Sequence, residues 1–531
     1  MSATANPQVI PAVPPSGSVA GVPTRHFLGF MTMVLGMFMA ILDIQIVSAS
    51  ISDIQAGLAA SPDEASWVQT SYLIAEIVMI PLSGFLSRLL STRVLFTISA
   101  AGFTIFSLLC ATASSLPVMI LARACQGFLG GAMIPTVFAT AFILFRGPAR
   151  GSVSVLIGLT ATLAPTIGPT LGGYLTETLS WHWLFLINVP IGALIAVVVW
   201  NTMDIDRGDR RLFGRFDWLG LAAMAVFLGS MEYVMEEGPR WDWLDDPTIA
   251  TFAAACLISG VIFFWRAFFR EDPIVELRAF GNANFAIGSV FAFLVGIGLY
   301  GAVYLVPLFL GRIRGYNSMQ IGETMFVTGV AMFLAAPIVG KLSRAMDLRI
   351  LMGFGLGTTA LAMWWTSTLT AQSSFAELWL PLALRGFGTM FAMVPVNQVA
   401  LGTLPPAKIK NASGLFNLMR NLGGAVGLAM INTLVIDRSA AHRLHMQEGM
   451  NWARTGVSSS VDAISAALSG RLGDLSDKAA LARVSAMVTR EALILSYNDV
   501  LVTIALLFAL ATPLVIFVKL PKPGAGGGAA H

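Results

Sequence analysis

Apolar stretches dominate this chain and recur at short intervals. Runs of mostly hydrophobic residues follow one another, with short polar breaks, along nearly the whole sequence. A helix needs about 20 residues to cross the roughly 30 Å hydrocarbon core of a bilayer. Fourteen runs meet this length and are predicted to span a membrane, at 27–50, 66–86, 94–113, 116–145, 151–176, 182–202, 216–235, 248–268, 285–310, 319–340, 350–370, 378–403, 414–436 and 494–518.

The composition agrees with an all-α polytopic membrane protein. Of the 531 residues, 56% are hydrophobic and 11% are charged, whereas soluble domains carry about 25% charged residues. This excludes a soluble enzyme. The three cysteines, Cys110, Cys125 and Cys256, lie far apart within apolar runs, so neither a disulfide framework nor a thiolate metal site is indicated. We therefore expect no enzymatic activity, no metal and no cofactor.

Basic residues set the predicted orientation. With a cytoplasmic N-terminus, nineteen Lys and Arg fall on the cytoplasmic side, whereas the short outside loops carry only Arg240, Arg312 and Arg314. Because cytoplasmic loops are enriched in Lys and Arg, we expect both termini in the cytoplasm. Residues 1–24 contain no charged side chain and are expected to form a disordered cytoplasmic tail before an uncleaved first span. Residues 519–531 form the second predicted tail.

An internal repeat divides the chain into two halves. The segment Pro81–Arg88 recurs as Pro337–Arg344, 256 positions later, and Arg123 and Arg385, each followed shortly by Gly-Phe, lie 262 positions apart. Such repeats are typical of transporters in which two halves move about a central site. We predict two parallel six-helix halves, at 25–202 and 284–518, with two inserted helices and their flanking loops at 203–283.

The largest polar stretch lies between the last two predicted spans. Residues 437–493 are rich in Ala and Ser and are predicted to lie outside the membrane, with helical spacing of apolar residues in 461–472 and 474–484. Two interpretations remain open at this point: a surface that contacts a periplasmic partner, and a loosely packed, solvated linker.

The fifth predicted span is dense in residues that disrupt helices. Between Ala164 and Gly173 there are two prolines and three glycines. In water this would indicate a loop, because Pro removes a backbone donor and Gly costs about 1 kcal/mol of helix propensity. In a bilayer, neighbouring helices must cover such a backbone, and small residues permit their close approach. We therefore expect a bent, tightly packed helix at the seam between the halves.

Several motifs, taken in order, resemble signatures of the major facilitator superfamily. They lie in the first, fourth, fifth and sixth spans, at Leu42–Val47, Leu121–Gly127, 164–173 and Trp181–Gly192. With fourteen spans, the chain resembles the EmrB/QacA-type drug:proton antiporters. The segment Asn417–Gly424 resembles the thirteenth-span pattern of the EmrB branch.

This resemblance implies an exporter of hydrophobic or amphipathic compounds in the bacterial inner membrane, powered by inward proton movement. It also implies a periplasmic adaptor and an outer-membrane channel as partners, and no nucleic acid. No G-x-x-x-x-G-K-[ST] stretch is present to bind nucleotide, which favours an ion gradient as the energy source. A facilitator-type importer or a specific metabolite transporter of the same fold is the alternative. The antiporter motif of the family falls on Pro165, Gly168, Pro169, Gly172 and Gly173.

Five acidic residues within the predicted spans are candidates for proton coupling, because an ionisable group at membrane depth is costly and therefore indicates function. Asp43 has the family motif around it, and a role in coupling or in a structural network and a helix-end position near the surface both remain open. Glu76 has apolar neighbours on both sides and cannot easily reach water, so we predict that it handles protons or cations. Glu323 lies a few residues into its span, and a coupling role and an interfacial position both remain open. Glu232 and Asp499 are expected at the membrane surface.

Three arginines are the basic candidates. Arg123 matches the fourth-span arginine to which the family assigns proton relay, and its alternative role is that of structural partner to a carboxylate such as Asp43. Arg385 and Arg420 either hold helix carbonyls or serve coupling. The polar side chains of Gln126 and Asn417 are expected to join these networks.

The loop after the second span departs from the family pattern. That pattern reads Gly, three residues, Asp, and then basic residues around a further Gly. Here Gly84 is followed by Arg88 and Ser91 where Asp and Gly are usual. The acidic member is missing, although Arg88 and Arg93 still suit a cytoplasmic gating loop.

Overall fold

A computed structural model of the chain describes residues 18–19, 21–145, 148–270, 273–450 and 455–519. This part is almost wholly helical. Its α-helices are α1 Thr24–Ala49, α2 Ile51–Gly57, α3 Pro62–Ala65, α4 Trp67–Leu90, α5 Thr92–Ala111, α6 Leu116–Gly130, α7 Met133–Leu144, α8 Pro148–Thr178, α9 Trp183–Leu186, α10 Asn188–Thr202, α11 Trp218–Glu237, α12 Pro247–Phe269, α13 Ala283–Arg312, α14 Ser318–Ala345, α15 Leu348–Thr366, α16 Phe375–Gly402, α17 Pro406–Gly449, α18 Thr455–Leu472 and α19 Ser476–Ala511. Short 3₁₀ helices occupy Arg210–Arg215, Gly238–Arg240, Trp243–Asp245, Leu277–Gly281, Gly473–Leu475 and Thr512–Phe517.

Two short strands precede the first helix. The strands β1 (Ser18–Val19) and β2 (Val22–Pro23) pair antiparallel, with Gly21 at a φ of 77° in the turn between them. The end of the predicted disordered tail is therefore ordered. Residues 1–17, like 520–531 of the second predicted tail, lie outside the described residues.

Thirteen helical segments in the described ranges are long and apolar enough to cross a membrane, one fewer than predicted. The exception is 350–370, which does form a helix, α15, but has three glycines and two threonines at 353–359 that lower its apolar character. A Cβ added at Gly355 would lie 2.3 Å from the Ala392 nitrogen, so this glycine lets the α15 and α16 backbones meet. Helix α15 nevertheless exposes the large apolar side chains Phe354, Leu361 and Trp364, so it occupies the place of the predicted eleventh span.

The helices form two halves and an inserted pair, which confirms the predicted architecture. In the first half, α1 packs on α8 and α10, and α4 on α6. In the second, α13 packs on α17, and α16 on α14 and α15. The halves meet where α8 packs on α14 and α4 on α17, and the inserted helices α11 and α12 pack on each other with α11 resting on α4 and α17.

The repeated segments occupy equivalent places in the two halves. Gly84 of α4 lies against Asn411 of α17, and Gly340 of α14 lies against Val155 of α8. Each repeat glycine therefore faces a helix of the opposite half. The repeated motif marks where the two halves touch.

Both described ends of the chain lie at the same end of the bundle, which we call the terminal end. Arg25, at the start of α1, donates to the Asn201 carbonyl at the end of α10. Lys519 donates its backbone N–H to Asn284, at the start of α13, at 2.9 Å. The halves touch at this end, because Arg150 donates to the Gly402 carbonyl at 3.4 Å.

The predicted outside segment 437–493 is helical over almost all of its described length. Helix α17 runs on to Gly449, α18 follows, and α19 begins at Ser476. The helical periodicity read in 461–472 and 474–484 is thereby confirmed. The α18 helix packs on α19, while most of the described side chains of this segment are exposed or half-buried. The partner surface and the solvated linker therefore both remain open.

Candidate functional site

A fully buried ion pair joins α1 to α6 in the first half. The Asp43 and Arg123 side chains are both 0% exposed, and Arg123 Nη1 donates to Asp43 Oδ2 at 2.6 Å. Arg123 Nε donates to the Val68 carbonyl at 3.1 Å, and its guanidinium lies 4.2 Å from the centre of the Tyr72 ring. Removing either charge would leave the other buried without a counter-charge, which is strongly destabilising.

Three more polar side chains extend the hydrogen-bond network of this pair. Asn188 donates to Asp43 Oδ1 at 2.7 Å, and Gln126 donates to the same oxygen at 3.2 Å. Ser107 accepts from both amides at 3.1 Å. All three side chains are buried. We call Asp43, Arg123, Gln126, Asn188 and Ser107 the buried polar cluster.

The cluster agrees with the expected pairing of Arg123 with Asp43 and with the place given to Gln126. Asn188 belongs to the sixth-span motif, but its contact with Asp43 was not anticipated. Ser107 had no signal in the sequence, because a serine inside an apolar helix usually bonds to its own backbone. The part that Ser107 plays in the cluster becomes visible only once α5 is packed against α6 and α10.

A cavity of about 340 Å³ lies between the halves. It is lined mainly by apolar side chains of α1, α4, α8, α11, α13, α14 and α17. The lining residues are Ile44, Gln45, Ser48, Gln69, Leu73, Glu76, Ile77, Pro169, Glu232, Tyr300, Val303, Tyr304, Pro307, Leu308, Ile321, Asn421, Gly424, Ala425 and Leu428. Because α1 starts and α4 finishes at the terminal end, Ser48 and Gln69 place the cavity towards the opposite end.

Two carboxyl groups face this cavity. Glu76 is 2% exposed and Glu232 is 7% exposed. Glu76 Oε1 and Glu232 Oε2 are buried without a hydrogen-bond partner among the residues that the structure describes. The expected surface position of Glu232 is wrong. Its place along the sequence suggested a helix end, but α11 packs against α4 and α17 and carries the side chain inward.

The other two acidic candidates lie elsewhere. Asp499 is partly exposed and contacts His442 at 2.9 Å and Arg438 at 3.9 Å, in keeping with its expected surface position. The Glu323 side chain is exposed and is not among those that line the cavity. The structure therefore separates Glu323 from the buried polar cluster, and a coupling role for it stays a prediction.

The two remaining arginines are buried in the second half. Arg385 Nη2 donates to Thr328 Oγ1 at 3.0 Å, and the Arg420 guanidinium lies 5.5 Å from the centre of the Phe138 ring, in the other half. Within the described ranges neither forms an ion pair, and each has a buried Nη1 without a hydrogen-bond partner. Asn417 donates to the Ser413 carbonyl of its own helix, so this contact does not join it to a charged network.

The motif 164–173 lies inside α8, which continues without interruption past Pro165 and Pro169. A Cβ at Gly168 would lie 2.3 Å from Gln45 Cβ, and one at Gly172 would lie 2.8 Å from the Ile46 carbonyl oxygen. These two glycines therefore bring α8 onto α1 within the first half. Contact across the seam is made by Thr170, which lies against Gly322 of α14. Gly173 is buried.

An acid from another loop occupies the region where the gating motif lacks one. Asp206 accepts from the Thr92 backbone N–H and hydroxyl at 3.1 Å and forms an ion pair with Lys410 of α17. Lys410 also donates to the Ser87 carbonyl at 3.1 Å. Asp206 and Lys410 thus link the two halves at the terminal end.

The basic residues of that motif lie beside this link. Arg93 contacts Asp204 at 3.8 Å and covers the Trp200 ring. Arg88 lies 5.6 Å from the centre of the Phe85 ring. Ser91, where the family has Gly, has a φ of 91°, a conformation that favours glycine. The backbone keeps the shape of the motif although the residue has changed.

Comparison with known proteins gives consistent matches along the chain. A model described as Major Facilitator Superfamily matches residues 33–428. The colistin resistance protein EmrB of Acinetobacter baumannii is 42% identical over 93% of this chain and 96% of its own length. The multidrug export protein EmrB of Escherichia coli K12 is 30% identical over 95% and 98%. The fatty acid resistance protein FarB of Neisseria gonorrhoeae is 29% identical over 94% and 98%.

A solved structure shares the fold. The human organic anion transporter MFSD10 (TETRAN) aligns with a TM-score of 0.57 over 93% of this chain and 100% of that one. The two sequences are 14% identical. This similarity concerns the arrangement of helices alone.

Proposed function

Because this chain belongs to the major facilitator superfamily, we propose that it is an exporter of hydrophobic or amphipathic compounds, driven by inward proton movement. Relatives that it matches over almost their whole length are named for multidrug export and for resistance to colistin and to fatty acids. The conclusion rests on this likeness together with one feature of the molecule, the cavity between the halves.

The cavity has the properties that an amphipathic compound requires. Its volume of about 340 Å³ falls within the range of small-molecule sites, which are mostly apolar with a few polar groups. Leu73, Ile77 and Val303 supply apolar surface, and Gln69 and Asn421 supply hydrogen-bonding groups. A cavity wall that makes broad apolar contact and few directional hydrogen bonds favours binding of many substrates of similar polarity rather than of a single one.

Proton coupling is supported by the charges buried in the bundle. A carboxyl group at membrane depth is costly and is typical of proton relays. Glu76 faces the cavity, and Arg420 and Glu232 are among the charges close enough to act on its carboxylate. One proton that crosses 100 mV contributes about 2.3 kcal/mol, to which a pH difference adds. We assign proton exchange to Glu76 and a supporting role to the buried polar cluster.

We further propose that the terminal end faces the cytoplasm of a bacterial inner membrane. The excess of Lys and Arg in the loops at that end favours this orientation. The segment 437–493, which is helical over almost all of its described length, would then lie on the periplasmic side. Its length and exposed polar surface suit a periplasmic adaptor that leads to an outer-membrane channel.

Transport in inverted membrane vesicles tests the proposed function. With an imposed inward-acidic proton gradient, we expect a hydrophobic test compound to accumulate in the vesicle as protons leave. The Glu76→Gln variant should fold and bind the compound but fail to accumulate it. Equal accumulation with and without the gradient would exclude proton coupling, and accumulation only in the opposite direction would indicate an importer.

A further inference from the structure

One charged residue that lines the cavity, Glu232, comes from outside the two six-helix halves. Helix α11 belongs to the inserted pair, and it packs along α4 and α17, one helix from each half. This packing buries Glu232 and places it among the cavity residues. Of the inserted pair, helix α11 therefore contributes to the cavity, whereas α12 supplies none of its lining residues.

The charge of the cavity wall is entirely acidic in the part of the chain that the structure describes. Of the lining residues, Glu76 and Glu232 are the charged ones, and no Lys or Arg lines the cavity. They come from different elements, α4 and α11, and each has a buried carboxyl oxygen without a hydrogen-bond partner. Glu232 also forms no ion pair within those ranges.

A ligand with a positive charge would complete such a site. A buried carboxylate is stabilised by an opposite charge and strongly destabilised without one. Tyr300 and Tyr304 line the same cavity, and aromatic faces attract cations that have lost part of their hydration. The apolar remainder of the wall would cover the body of a lipophilic ion.

We infer that Glu232 of the inserted helix α11 is a specificity-determining residue that selects lipophilic cations over neutral compounds of the same shape. This inference rests on the proposed function, because it takes the cavity to be the export site. Glu76 exchanges protons in that function, whereas Glu232 supplies the charge that recognises the substrate. The inserted pair thereby gains a role in substrate choice.

Equilibrium binding to the purified full-length protein in nanodiscs tests the inference. The probes are tetraphenylphosphonium, a lipophilic cation, and triphenylphosphine oxide, a neutral compound of related shape. Wild type should bind the cation more tightly. Glu232→Gln should weaken cation binding by about tenfold or more, as expected for loss of a charged partner, and leave the neutral probe unchanged. Glu232→Asp should restore part of the preference, and Glu237→Gln, on the same helix but outside the cavity lining, should bind both probes as wild type does.

Three results would overturn the inference: unchanged cation binding in Glu232→Gln, equal weakening of both probes, or no binding of the cation by wild type. Equal weakening would show that Glu232 only supports the shape of the cavity. The vesicle assay with a neutral compound is independent of these results. Its failure would remove the proposed export function, whereas loss of cation selectivity alone would leave export standing.

Discussion

At the scale of single residues, a substitution in the buried pair of Asp43 and Arg123 is expected to change both stability and export. The Asp43→Asn substitution removes the counter-charge of a guanidinium that has no access to water. We expect about 3 to 5 kcal/mol of destabilisation, seen as a lower Tm in detergent, and loss of gradient-driven export. The double variant Asp43→Asn/Arg123→Gln should recover much of the Tm, because no unpaired charge remains.

Transport by that double variant separates the two roles of the pair. A coupling role predicts a stable protein that does not export. If the double variant recovers both Tm and export, the pair is structural, and the coupling assignment for Asp43 and Arg123 is wrong.

The backbone of Ser91, in the loop between α4 and α5, has a strained conformation. Its φ of 91° and ψ of 155° lie in a region that only glycine occupies freely, at a cost of about 1 to 3 kcal/mol for other residues. Its side chain accepts from the Val94 N–H at 3.3 Å, and replacing such a cap by Gly costs only a few tenths of a kcal/mol. The strain is the larger effect, so Ser91→Gly should raise the Tm.

Ser91→Ala is the matched control for that prediction. Alanine keeps the strain and loses the cap, so its Tm should fall below that of wild type. A Ser91→Gly variant less stable than Ser91→Ala would contradict the account of this turn.

At the scale of helices, the contact of α8 with α1 depends on glycine. A Cβ at Gly168 would meet Gln45 at 2.3 Å, whereas one at Gly158 of the same helix would meet Val394 at an ordinary 3.4 Å. We expect Gly168→Ala to cost about 1 to 3 kcal/mol through overpacking and to reduce export, with Gly158→Ala close to wild type. Wild-type Tm and export in Gly168→Ala would show that this contact is not required.

The link between Asp206 and Lys410 is expected to hold the halves together at the terminal end. Asp206→Asn removes the charge that pairs with Lys410 and should raise the population in which the halves separate there. Electron–electron double resonance between spin labels at Leu90→Cys and Pro405→Cys, with the native cysteines replaced, would then show a larger share of long distances. Asp209→Asn, in the same loop, is the control. An unchanged distance distribution in Asp206→Asn would contradict this role.

These cases show which parts of the fold the sequence could predict. The sequence predicts the membrane helices and the repeat, because each leaves a local pattern. It also predicts the partnership of Arg123 with Asp43, because a buried charge is costly without a counter-charge. The position of Glu232 could not be predicted, since it depends on how the inserted helix turns towards α4. Asp206 was missed for a similar reason: its partners Thr92 and Lys410 are far away in the sequence. Helix α15 forms at the predicted span, although its glycines lower its apolar character.

At the scale of the whole molecule, two halves surround a cavity to which we assign both a proton site and a substrate site. The halves touch at the terminal end through Arg150 and Gly402, while the cavity lies towards the other end. Exchange requires that proton and substrate movements depend on each other. A carrier of this kind works in either direction, according to the gradient.

The most direct test of this claim uses purified protein in proteoliposomes, with substrate and proton fluxes recorded together. Imposing a pH difference should drive the substrate in the direction opposite to the protons, and reversing that difference should reverse the substrate flux. Glu76→Gln should abolish both responses. Substrate movement that ignores the sign of the pH difference, or that proceeds without proton flux, would contradict the account.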